Sequence, residues 1–184
     1  MHSSTIDIDN TALVVVDVQE AFRKAIPDFA EVVSRISIAI RGFQLLGRPI
    51  VVTEQYPTGL GRTAEELLLS LADDATFIEK STFSSYRESQ FVAELEKFQA
   101  KQVILCGVET HVCVSQTAHD LLDAGYQVHL LSDCVASRYQ HDRDAGLKKM
   151  FASGVVSSSM EMVLFEMMRD SRHGKFKDVQ ALIK

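Results

Sequence analysis

The chain has 184 residues and carries 19 Lys and Arg against 25 Asp and Glu, a formal charge of −6. Leu, Ile, Val and Phe together make 56 of the 184 residues, well above the roughly 20% below which chains tend to stay disordered. A chain near this length buries about 70% of its unfolded surface without disulfide or metal staples, so collagen-like, linker-like and small disulfide-rich classes are excluded.

Short β-branched runs alternate with helical patterns along the chain. Ala12–Val16 is a continuous apolar run and predicts a buried first strand. Asp28, with Glu31 three residues later, reads as the start of a helix carrying Phe29, Val32, Val33, Ile36, Ile40 and Phe43. Gly47 and Pro49 end it. Ile50–Thr53 predicts the second strand. Thr63 and Glu66 repeat the capping signature before Leu67, Leu68 and Leu71, and Thr76–Glu79 follows as a third strand. Ser89–Phe98 predicts a helix and Val103–Cys106 a fourth strand. A helix over about 112–124 is closed by Gly125, and Val128–Leu131 is the fifth strand. Asp142–Ser153 reads as a helix, Val155–Ser157 as a sixth strand, and Met160–Met168 and Phe176–Ile183 as closing helices.

This alternation predicts an α/β fold: a three-layer α/β/α domain over residues 1–184, with a mostly parallel six-stranded sheet and helices on both faces. Its expected strand order is the Rossmann-like 3-2-1-4-5-6. No run approaches the roughly 20 apolar residues of a membrane span. The polar stretch 1–10 does not read as a secretory signal, so the expected compartment is the cytoplasm. The basic groups Arg143/Lys148/Lys149 and Arg172/Lys175/Lys177 are interleaved with acids and read as solvated helix faces, not as a nucleic-acid surface.

Sites in open parallel sheets form beyond the carboxyl ends of the strands. Asp17 stands there after strand one, Lys80 after strand three and Cys113 just past strand four. The start of a helix and a nearby ammonium favour a thiolate at Cys113, with Asp17 as general base. Backbone N–H groups of the Gly107–Cys113 turn are candidates to hold an oxyanion. If strand three lies two places from strand one, Lys80 must cross about 10 Å to reach it. Of the other cysteines, Cys106 reads as core and Cys134 as a loop thiol. His111, Cys113 and His119 match no metal pattern.

The strings VVVDVQEAF around Asp17, EKSTFSSY around Lys80 and CGVETHVCVSQTAHDLLDAGYQVHLLSDCVASR from Cys106 to Arg138 resemble the isochorismatase-like cysteine hydrolases, closest to their compact members. The resemblance implies an Asp17–Lys80–Cys113 triad in which Cys113 attacks a carbonyl carbon. It also implies a cis peptide at Val108–Glu109, a conformation that costs about 3 kcal/mol, and an oxyanion hole from the N–H groups of Glu109 and Cys113. By the same resemblance, Gln19, Phe22, Tyr56, Phe83 and Tyr86 wall the pocket and the chain forms a homo-oligomer, for which Met160–Met168 with Phe165 offers an apolar surface. Nicotinamidases of this family place an Asp-x-His metal pair after strand two. Here that stretch reads TEQYPTGLGRT and lacks histidine, so neither a metal nor any other cofactor is expected. True isochorismatases cleave a vinyl ether and need no cysteine, so the cysteine favours hydrolysis of a small amide or carbamoyl substrate. The alternatives are vinyl-ether hydrolysis and a thiol-bearing redox or ligand-binding module without turnover.

Overall fold

The computed structural model describes residues 4–73 and 75–184. Of the N-terminal stretch read as lacking a signal, residues 1–3 lie outside the described residues. The strands are β1 (Thr11–Val16), β2 (Ile50–Gln55), β3 (Thr76–Lys80), β4 (Gln102–Val108), β5 (Gln127–Ala136) and β6 (Val156–Ser158). They form one sheet in the order β3-β2-β1-β4-β5-β6, with every neighbouring pair parallel. The helices are α1 (Phe29–Leu45), α2 (Pro57–Leu60), α3 (Glu65–Leu68), α4 (Ser89–Lys97), α5 (Ser115–Asp123), α6 (Gln140–Ala152), α7 (Met160–Met168) and α8 (Phe176–Ile183). Among the described residues, no helix is long and apolar enough to cross a membrane.

Both faces of the sheet are covered, which is why β1 is apolar at every position. Leu13 and Val15 pack into one core with Val33, Ile36 and Ile40 of α1, Leu164 of α7 and Val179 of α8. Ala12, Val14 and Val16 enter the other core, with Phe91 and Leu95 of α4, Leu121 of α5 and Met150 of α6. Each such side chain, fully buried, contributes about 1.5–3 kcal/mol.

Several local expectations are corrected. Neither predicted helix cap forms: Asp28 makes no capping bond, and the Thr63 hydroxyl instead donates to the buried Glu54 carboxylate at 2.7 Å. The N-cap position falls to Ala64, which has no side-chain group to accept from the first turn, and α3 shrinks to a single turn. The segment before α5 is a π-helical turn, Thr110–Val114. Cys134 is no loop thiol, because β5 resumes after an irregularity in its pairing with β4 and buries it completely. Arg143 is no solvated residue either: its guanidinium donates to the Ser132 and Val135 carbonyls at 2.6 and 3.0 Å, tying down that irregularity. In α7, Met160, Val163, Leu164, Met167 and Met168 are buried in the chain's own core, which leaves Met162, 48% exposed, and the half-buried Phe165 as the apolar residues on its outer side.

One glycine sets how closely β4 approaches β1 at the edge where β1 ends. Gly107 pairs with Val16, and a Cβ there would lie 2.2 Å from the Val16 carbonyl oxygen, at a φ of +138°. Gly107→Ala is therefore expected to destabilise the protein by about 3 kcal/mol or more in urea unfolding. Gly154→Ala, at a φ of +103° with open space around it, should cost only about 1 kcal/mol.

Candidate active site

At the carboxyl end of β1 the chain turns sharply, with Asp17 in the left-handed region at φ 55°. Its N–H donates to the Thr53 carbonyl of β2 at 3.1 Å. Its carboxylate is held from two sides: Oδ1 accepts from the Thr53 hydroxyl at 2.7 Å and Oδ2 from Lys80 Nζ at 2.6 Å. Lys80 leaves the end of β3, two strands away, and its side chain crosses over β2 to make this contact. The intervening strand supplies the crossing point, because Gln55 Oε1 accepts from the same ammonium at 2.7 Å. The Thr82 and Phe83 carbonyls, each at 3.1 Å, surround the rest of it. Asp17 and Lys80 are 1% and 4% exposed, so their charges meet with little water between them, where attraction is strong and loss of either partner costly.

Cys113 comes to the same carboxylate from β4 through the π turn. It is 6% exposed, and the Asp17 charge bears directly on its thiol. The thiolate expectation is corrected. Burial pushes the thiol up to about 12, with the Asp17 charge next in weight, and the opposing pull of Lys80 does not offset them. The ammonium is already paired with Asp17, and the carboxylate charge outweighs it at the sulfur. Cys113 therefore rests as a protonated thiol.

The Val108–Glu109 peptide is trans, as is every peptide bond among the described residues. The turn is made instead by Gly107 and by Glu109, which adopts φ 56° and ψ 58°. Asp17, Tyr56 and Glu109 thus stand left-handed just beyond β1, β2 and β4. The conformation costs a residue with a side chain roughly 1–2 kcal/mol, and such strain concentrates at functional sites.

The other expected pocket residues divide. Tyr56 and Phe83 are 61% and 55% exposed, beyond β2 and β3. Tyr86 packs edge-on against Tyr126. Phe22 lies against the α1 core. Gln19 is a structural pin: its amide donates to the Gln55 and Gly61 carbonyls at 3.0 and 2.6 Å and accepts from the Gln55 N–H at 2.8 Å. Thr53 and Gln55 escaped sequence reasoning. Their signal was present in the stretch TEQYPTGLGRT, where polar residues end an apolar strand beside Asp17. His111 and His119 do not converge with Cys113: His111 meets the Ser137 hydroxyl and His119 the Ser115 carbonyl. Among the described residues, no three His, Cys, Asp or Glu side chains gather as a metal site.

The family model described as the isochorismatase domain matches residues 11–162. Isochorismatase domain-containing protein 1 of Danio rerio is 39% identical over 173 residues, covering 91% of this chain and 59% of that protein. The chain therefore spans well under two thirds of that relative's length. The secreted isochorismatase effector Isc1 of Phytophthora sojae is 37% identical over 181 residues, covering 95% of this chain and 85% of that protein. With a secreted relative this similar, family likeness does not dictate compartment. The solved structure of the MAR1 ribonuclease from Caenorhabditis elegans superposes with a TM-score of 0.93 at 38% identity, over 97% of this chain and 92% of that one.

Because the Asp17 charge helps raise the thiol, Asp17→Asn should lower the Cys113 pKa and leave Lys80 free to stabilise the thiolate. At pH 8, alkylation of Cys113 by iodoacetamide, followed by mass spectrometry, should become faster in this variant. Lys80→Met should slow it. An unchanged rate in both variants would show that the three groups are not electrostatically coupled.

Proposed function

The chain belongs to the isochorismatase family, and from that footing we propose that it hydrolyses the C–N bond of a small amide or carbamoyl substrate through Cys113. The observation that carries this reading is the buried Lys80–Asp17 pair, with Nζ 2.6 Å from the carboxylate, whose charges bear on the thiol of the almost buried Cys113 just beyond the neighbouring strand.

The proposed sequence begins with Cys113 Sγ attacking the carbonyl carbon while the thiol proton passes to Asp17. The Glu109 and Cys113 N–H groups receive the carbonyl oxygen as it gains charge. Asp17 returns the proton to the departing nitrogen, the C–N bond breaks, and a thioester remains on Cys113. Water then attacks the thioester, giving one proton to Asp17. The C–S bond breaks, the thiol is re-formed with that proton, and the carboxylic acid leaves. Lys80 keeps the carboxylate in position throughout and balances its charge. In this reading Tyr56, Phe83 and Tyr86 are the aromatic walls, while Gln19 and Phe22 act behind them by fixing backbone and core. Assembly into a homo-oligomer belongs to the same proposal, with Met162 of α7 and the exposed Tyr56, Leu69 and Phe83 as the apolar residues available to it.

The worm protein is described as a ribonuclease. This chain's charge of −6 and the interleaving of its basic groups with acids provide no track for phosphates, so RNA is expected to remain intact.

Ammonia release from a panel of small amides should fall by about 10³-fold or more in Cys113→Ala and in Asp17→Asn. Activity retained without the thiol would overturn the proposal. Vinyl-ether cleavage that survives Cys113→Ala but not Asp17→Asn would replace it with the isochorismatase reaction.

A further inference from the structure

The side chain of the left-handed Glu109 is gripped by Arg138, a residue just beyond the neighbouring strand. Val108 and Ala136 are paired at the ends of β4 and β5, so the two chains leave the sheet side by side. Arg138 reaches back to Glu109 twice. Its backbone N–H donates to Glu109 Oε1 at 3.1 Å, and its guanidinium Nε donates to Oε2 at 3.1 Å. A second guanidinium nitrogen also stands 3.1 Å from Oε2. The Glu109 side chain is 8% exposed and that of Arg138 49%, so a surface arginine closes over an almost buried carboxylate. The next residues of the turn are fixed independently. The Thr110 hydroxyl donates to the Ala136 carbonyl at 2.9 Å, and Gly146 of α6 leaves no room for a side chain against His111. The carbonyl of Glu109, the strained residue, accepts from the Val112 N–H within the turn at 2.8 Å, and among the described residues its carboxylate is what ties it to the segment after β5.

We infer that Arg138 is a positioning residue for acyl transfer: by clamping the Glu109 carboxylate it holds Glu109 left-handed and keeps the Glu109 N–H aimed at the forming oxyanion. This rests on the proposed cysteine-hydrolase reading. A residue with a side chain leaves the left-handed region unless its surroundings enforce it, and charge-assisted bonds to a carboxylate supply that enforcement. Once the clamp is lost, Glu109 relaxes toward negative φ and its peptide rotates. The thiol stays where the π turn places it.

Two reactions of the same sulfur separate this role from a general structural one, and neither requires knowledge of the natural substrate. Acylation by p-nitrophenyl acetate forms a C–S bond, moves the thiol proton to Asp17 and expels p-nitrophenolate through a tetrahedral oxyanion. Alkylation by iodoacetamide displaces iodide at a tetrahedral carbon and develops no oxyanion. In Arg138→Gln, acylation of Cys113 should slow by about 10–100-fold, while alkylation stays within about twofold of wild type, a change too small to report loss of a stabilising contact. Glu109→Gln keeps an acceptor for the Arg138 N–H and should lose less than Glu109→Ala. Arg138→Lys, a point charge without the planar fork, should recover part of the rate. Wild-type acylation at Cys113 with no loss in Arg138→Gln, or an equal fall in both reactions, would overturn the clamp while leaving the hydrolase reading intact. A wild-type protein that p-nitrophenyl acetate does not acylate at Cys113 would overturn both.

Discussion

The buried contact between Lys80 and Asp17 is the constraint around which this edge of the molecule is arranged. Opposite charges removed from water attract strongly, but each also loses its hydration, so the pair is stable only where further hydrogen bonds complete its coordination. Those bonds are present. The Thr53 hydroxyl takes the second carboxylate oxygen, and Gln55, Thr82 and Phe83 surround the ammonium. All four of these groups sit near or just beyond the ends of β2 and β3, so the pair requires those strands in register with β1. It also requires the loop after Lys80 to fold back over its own side chain.

The same pair decides the state of the nucleophile. A thiol near an unpaired lysine would ionise easily. Here the lysine is neutralised by the aspartate, burial disfavours a second anion, and the proton stays on sulfur. Under the proposed hydrolysis, such a site activates its nucleophile only as the proton moves, which ties formation of the attacking anion to the arrival of a carbonyl carbon. Around it the backbone is strained at three neighbouring strand ends, and each strained residue is held by a contact from another element. The Asp17 N–H bonds the Thr53 carbonyl of β2, the Tyr56 N–H bonds the Lys80 carbonyl of β3, and Glu109 is gripped by Arg138 beyond β5.

Much of this was legible in the sequence, and the residues show why. The run Ala12–Val16 marks a strand because a strand covered on both faces must be apolar throughout, and Asp17 stood out as the first polar residue after it. Capping signals misled because they are local. Thr63 is held by Glu54, nine residues away in sequence and adjacent only after folding, and the helix starts past it with Ala64 as N-cap. Cys134 misled because β5 pauses and resumes, and a pause reads like a loop. Arg143 misled for the opposite reason: an arginine among acids reads as solvated, yet its guanidinium faces two carbonyls of a neighbouring strand.

Alone, the sequence determined the alternation of strands and helices, the sheet order expected of it, and which side chains stand at the strand ends. These follow from apolar periodicity and chain direction, which are properties of neighbours along the chain. Tertiary structure decided everything that depends on distance between elements. It brought Lys80 across β2 to Asp17, kept Cys113 protonated, made Gln19 a pin, turned α7 inward and set Arg138 against Glu109. Charge, solvation and hydrogen bonding act through space, and their balance at each group is settled only when the sheet has closed around it.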